Sequence, residues 1–182
     1  MNTKVMFSSA KQDWETPDDL FKELDAEFSF ALDACATRES SKCSFYFSLD
    51  ADGLKAEWAT EIILCLGIQR AVVWLNPPYS GMSPCKPDCQ KNKCLKRQWH
   101  YSGPRIYGAA RWVQKAYEES LKGATVVCLL PARTDTKWFH KYIKPYAEIR
   151  FLEGRLKFKG AKHPAPFPSM IAVFRPRISN EA

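Results

Sequence analysis

Apolar residues along this chain fall into short β-branched runs separated by segments of helical period, the alternation of an α/β protein. Leu20, Phe21, Leu24 and Phe28 recur at helical spacing and predict a first helix. Thr16 is its expected cap, Pro17 suits its first position, and Asp18 and Asp19 favour its first turn. Residues 28–32 (Phe-Ser-Phe-Ala-Leu) read as the first strand, ending in Asp33-Ala34-Cys35-Ala36, and residues 44–47 as the second. Residues 57–67 fit either a helix or a third strand. The run Ala71-Val72-Val73-Trp74-Leu75 is a buried strand, and residues 124–130 form another that Pro131 ends. Between them a helix from Arg111 to Leu121 stops at Gly123. Residues 148–152 and 169–174 close the chain as an antiparallel pair. No repeat or linker divides the 182 residues, so the expectation is one domain over 1–182 with an insertion at about 83–107.

The strand at residues 71–75 runs into Asn76-Pro77-Pro78-Tyr79. Two consecutive prolines have no N–H to continue a ladder, and the residue before the first is pushed towards an extended conformation. A polar amide and an aromatic ring are therefore held on stiff backbone at the carboxyl end of a strand, the edge where open α/β sheets bind ligands.

Beyond Tyr79, Cys85, Cys89, Cys94 and His100 lie within sixteen residues, the ligand set of a structural Cys₃His zinc site. Lysines, arginines and prolines surround them, with little apolar material to hold the loop otherwise, so a metal staple is expected. Seven cysteines are an odd number, the amino-terminal residues have no apolar core of signal-peptide length, and the longest apolar stretch, 62–68, is too short to span a membrane. These features point to a reduced, cytoplasmic protein without a membrane, and no obligatory protein partner is evident.

The net charge of +7 is unevenly spread. Residues 13–61 hold thirteen acidic and four basic side chains, whereas residues 85–111 hold seven basic and one acidic, and residues 133–162 nine basic and three acidic. The second half of the chain suits a polyanion. Residues 154–168 add a basic loop carrying aromatic residues, the composition that suits an extruded base flanked by phosphates.

Taken in order, Trp14-x-Thr16-Pro17, Leu32-Asp33-Ala34-Cys35-Ala36, Ala51-Asp52-Gly53-Leu54, Asn76-Pro77-Pro78-Tyr79, the Pro131–Trp138 segment and Gly154-Arg155-Leu156-Lys157-Phe158 resemble the small phage and prophage-encoded DNA N6-adenine methyltransferases, over about residues 12–176. The resemblance implies a Rossmann-like, S-adenosylmethionine-dependent fold, with a mostly parallel sheet and one antiparallel strand. It implies transfer of the cofactor's methyl group to adenine N6 in DNA, without a catalytic metal. In that chemistry the Asn76 carbonyl and a main-chain carbonyl accept the hydrogens of the target amine, and Tyr79 stacks on the flipped base. Trp14, Thr16 and Pro17 would lie over the methionine end of the cofactor. Asp33, Ala34 and Cys35 stand where the first cofactor motif is expected, although the usual glycine-rich turn is absent. Asp52, in its Ala-Asp-Gly-Leu setting, resembles the carboxylate that meets the cofactor's adenine amine in the family, and Asp50 is the candidate for its ribose. Lys96, Arg97, Arg133, Arg155, Lys157 and Phe158 are the candidate DNA contacts, with Phe158 or Phe167 covering the base face opposite Tyr79. No segment is long enough for a separate target-recognition domain, so the expected target is short or degenerate. Two other readings share part of this pattern: a methyltransferase of an RNA base or protein glutamine amide, and a non-catalytic zinc-dependent DNA-binding protein.

Overall fold

The computed structural model describes residues 14–48, 52–91, 94, 100, 102 and 105–177. The strands among these residues are β1 (Leu32–Asp33), β2 (Phe45–Tyr46), β3 (Val72–Leu75), β4 (Thr125–Pro131), β5 (Glu148–Phe151) and β6 (Ser169–Phe174), in the order β2-β1-β3-β4-β6-β5. β1 pairs in parallel with β2 and β3, and β3 with β4, while β6 runs antiparallel to both β4 and β5. The sheet is therefore mostly parallel with one reversed strand, as expected for a Rossmann-like arrangement.

Side chains alternate across a strand, and here both faces are covered. Val73, Leu75, Val126, Cys128, Leu130, Met170, Ala172 and Phe174 face one core, shared with Trp58 and Ile62 of α2 (Trp58–Leu66) and Trp112, Val113 and Ala116 of α3 (Ala109–Leu121). A five-residue π-helical segment, Phe139–Ile143, packs on the same side and runs into α4 (Lys144–Tyr146). Trp74, Val127, Leu129, Ile171 and Val173 face the other core, with Leu24 of α1 (Asp18–Phe28), Phe158 and Ala165. Burial on both sides explains why β3, β4 and β6 read as unbroken apolar runs.

Two local expectations need correction, and one open alternative is resolved. The first strand does not begin at Phe28: that residue completes α1, and Ser29 takes the left-handed conformation (φ 57°) and donates its N–H to the Asp25 carbonyl at 2.8 Å. The Asp25 carboxylate also accepts from the Phe30 N–H at 2.8 Å, so the helix exit is capped twice and only Leu32–Asp33 pair as strand. Thr16 does not cap α1: Pro17 holds the cap position and no side chain bonds there. Of the two alternatives for residues 57–67 the helix is the one formed: α2 runs from Trp58 to Leu66 and Gly67 stops it at φ 64°. Asp52 follows the second strand, as its place after residues 44–47 implies, and lies in a turn.

Candidate active site

Chain order sets where a ligand can sit. β2 lies on one side of β1 and β3 on the other, so the connections diverge at the carboxyl ends of β1 and β3 and leave a crevice there. The register sets Asp33 beside Trp74, and the Ala34 N–H donates to the Trp74 carbonyl at 3.0 Å. Asp33 and Asn76 thus leave adjacent strands at the same edge. The Asp52 turn joins them because Gly53 packs against β1's exit: a Cβ on Gly53 would stand 2.3 Å from the Ala34 carbonyl oxygen. The Gly53 carbonyl accepts from the buried Trp58 indole at 2.6 Å, which anchors the turn to α2. The Asp52 carboxylate is partly exposed and paired with Lys55 at 2.8 Å.

Asp33 is buried at 3% exposure, and burial pushes its carboxyl up to about 6 against two backbone donors that lower it. Those donors are the N–H groups of Lys42 at 3.1 Å and Cys35 at 3.4 Å, so the side chain organises the loop after β1. Desolvation, and the neighbouring Asp33 carboxylate, raise Cys35 far enough to keep it a thiol.

Asn76 sits among three hydrogen bonds. Its Nδ2 donates to the Trp14 carbonyl at 2.5 Å and to Thr16 Oγ1 at 3.1 Å, and the Tyr79 hydroxyl donates to its Oδ1 at 3.0 Å. Burial raises the Tyr79 phenol and keeps it protonated. The Tyr79 ring closes an aromatic box with Trp14, Phe158 and Phe167: Trp14 lies 4.9 Å from Phe158 and 5.7 Å from Phe167, and Tyr79 5.6 Å from Phe167.

Of the candidate DNA contacts, Arg133, Arg155 and Lys157 are exposed at the same edge or on the 154–168 loop. Phe158 is not a surface residue: at 1% exposure it forms the floor of the aromatic box, and the half-buried Phe167 is the ring nearer solvent. Asp50, Lys96 and Arg97 lie outside the described residues.

Sequence reading missed the clamp that seats the amino-terminal segment. The Lys159 N–H donates to the Glu15 carbonyl at 2.9 Å, and the ammonium groups of Lys42 and Lys159 both reach Glu15 and Asp18. Hydrogen bonds from Lys42 and Lys159 hold the Asp18 carboxyl down at about 2. No local signal marks these pairs, because the partners are far apart in sequence.

The insertion leaves through a narrow stem. Met82 and Ile106 exchange backbone hydrogen bonds at 2.8 and 2.7 Å, and a Cβ on Gly108 would stand 2.6 Å from the Gly81 nitrogen. Beyond the stem, the ligand atoms of Cys85, Cys89, Cys94 and His100 all lie within 4.8 Å of one another. Cys85 Sγ and Cys94 Sγ are 3.7 Å apart, close to the ~3.8 Å edge of a tetrahedron with Zn–S bonds of about 2.3 Å.

A mostly parallel α/β sheet with polar groups converging over its switch point is the architecture in which open α/β proteins bind ligands at the carboxyl edge. The chain belongs to the DNA N-6-adenine-methyltransferase (Dam) family, whose model matches residues 3–180. It is 28% identical over 79% of its length to the DNA N-6-adenine-methyltransferase of Escherichia phage T1, of which it spans only 45%. It is 26% identical over 97% of its length to the DNA N-6-adenine-methyltransferase of Haemophilus phage HP1 (strain HP1c1), spanning 84% of that protein. Among the described residues, no helix is long and apolar enough to cross a membrane.

Proposed function

We propose that this protein transfers a methyl group from S-adenosylmethionine to the N6 amine of adenine in DNA, on a Rossmann-like methyltransferase fold, inside a bacterial cell. The observation that carries the reading is Asn76-Pro77-Pro78-Tyr79 at the carboxyl end of β3, beside the switch point, in a chain of the adenine-methyltransferase family.

An exocyclic amine is a poor nucleophile because its lone pair is delocalised into the ring. Asn76 Oδ1 and a main-chain carbonyl of the Asn76–Pro78 turn would each accept one of its hydrogens, drawing the nitrogen towards sp³ geometry and aiming it. Tyr79 would stack on the extruded base. The cofactor, when bound, supplies an electrophilic methyl: an N–CH₃ bond forms as the S–CH₃ bond breaks, and the nitrogen then loses a proton to water. Asp33, Ala34, Cys35 and Asp52 are the residues we assign to hold it, with Trp14, Thr16 and Pro17 closing over the reacting end. The donor chemistry fits, because Asp52 offers acceptor oxygens to the N–H and O–H groups of an adenosine, and Gly53 lets its turn pack directly on the end of β1.

Arg133, Arg155 and Lys157, joined by Lys96 and Arg97 of the insertion, are assigned to DNA phosphates. With two short loops to read bases, the target is a short or degenerate adenine site, since each good bidentate contact supplies only about 1–3 kcal/mol of discrimination. Cys85, Cys89, Cys94 and His100 fit one structural zinc ion, closed to water and apart from the chemistry. The test is incubation with labelled S-adenosylmethionine and, separately, DNA, RNA and protein. N6-methyladenine in digested DNA is the expected product, and label only in RNA or in glutamine would overturn the reading.

A further inference from the structure

The Asn76 amide has two ends of nearly equal size, and only one orientation can serve an amine that must give up hydrogens. Oδ1 has to face the target; a flipped amide would set one NH₂ against another. Orientation is normally ambiguous, and here the partners resolve it. The Trp14 carbonyl can only accept, so the atom 2.5 Å from it must be Nδ2. The second N–H is taken by Thr16 Oγ1, on a side chain that is 2% exposed. The nitrogen end is therefore saturated, and every remaining lone pair is on Oδ1. The Tyr79 hydroxyl, by contrast, can donate or accept and is indifferent to a flip. Saturated N–H donors also polarise the amide and make its oxygen a better acceptor.

We infer that Thr16 is a positioning residue for methyl transfer. With the Trp14 carbonyl, it locks the Asn76 amide in the one orientation that turns Oδ1 towards the target amine, while the Tyr79 hydroxyl keeps one side of that oxygen occupied until the base arrives. This rests on the role proposed above for Asn76. The lock is stiff because the 14–17 segment is itself clamped: Lys159 pairs with Glu15 through the backbone, and Lys42 and Lys159 bridge Glu15 and Asp18. Thr16 stands 60 residues before Asn76, so the first motif of the chain acts on the amide that meets the base as well as lying near the cofactor.

The experiment compares Thr16→Val, which keeps the shape and loses the acceptor, with Thr16→Ser, which keeps the oxygen. At saturating DNA and S-adenosylmethionine, Thr16→Val should lower kcat about tenfold, the equivalent of one net hydrogen bond. Its cofactor dissociation constant should stay within about twofold, because the hydroxyl is spent on Asn76 and valine keeps the shape that closes over the cofactor, and Thr16→Ser should recover most of the loss. Wild-type kcat in Thr16→Val, equal losses in both variants, or a loss confined to cofactor affinity would each overturn the inference. An independent readout is hydrogen exchange of the Asn76 side-chain amide by NMR in the wild-type protein. Both N–H protons should be protected, and free exchange of either would overturn the lock even if Thr16→Val fails to fold. A wild-type protein that protects this amide but methylates no DNA adenine would instead refute the functional reading beneath it.

Discussion

Asp33→Asn isolates the energetics of the carboxylate at the switch point. The folded protein raises this carboxyl from 3.8 to about 6, chiefly through burial. For a raised acid, the folded state binds more protons than the unfolded one between those values. The stability it contributes is thus fully present below about pH 4 and is lost as pH rises through about 6. At 1.36 kcal/mol per pH unit, the full swing is about 3 kcal/mol, with roughly half of it developing between pH 5 and 8. The variant cannot ionise, but its single amide oxygen can satisfy only one of the two N–H donors, from Cys35 and Lys42, which costs about 1–3 kcal/mol at every pH. The difference between the two proteins should therefore shift in favour of Asp33→Asn as pH rises from 5 to about 7 and then level off. Urea unfolding of both proteins from pH 5 to 8 measures it. Parallel stability profiles would refute the desolvation argument. Weakened S-adenosylmethionine binding by the variant, even at pH 8, would support a cofactor role for Asp33.

Other expectations follow from the same geometry. Asn76→Ala should lower kcat at least on the order of a hundredfold, the scale of removing one preorganised catalytic hydrogen-bonding group, with cofactor affinity nearly unchanged by calorimetry; near-wild-type turnover would remove Asn76 from the chemistry. Replacing Arg155 and Lys157 with glutamine should reduce the slope of log affinity for duplex DNA against log salt by about 1.8, measured by fluorescence anisotropy, and an unchanged slope would take this loop off the phosphates. Cys89→Ser should lower the bound zinc measured by mass spectrometry and weaken DNA binding while the sheet still folds and binds S-adenosylmethionine. Loss of cofactor binding on chelation would show that the metal supports the core instead.

Patterns that depend on one element were legible beforehand. The apolar runs of β3, β4 and β6, the turn at Asn76–Tyr79, and helix α3 with its glycine stop all read directly from residue order. So did the closing antiparallel pair. What depended on distant partners was hidden. Phe28 has β propensity, yet its place one turn beyond Leu24 on the packed face keeps it helical until Ser29 turns the chain. Thr16 looks like a cap in sequence, but its hydroxyl is drawn to an amide 60 residues away. Phe158 reads as an exposed ring in a basic loop and is instead buried beneath Trp14 and Tyr79. The seat of the Asp52 turn was hidden for the same reason, because Gly53 packs on the Ala34 carbonyl, a partner far away in sequence.

The paired exit and return of residues 82 and 106 make the cysteine loop a detachable cartridge. Because the chain leaves and re-enters at one point, beside the facing Gly81 and Gly108 backbones, the content and length of what lies between can change without altering the spacing of β3 and α3. A chimera carrying another loop on the same two-glycine socket would keep the sheet edge intact.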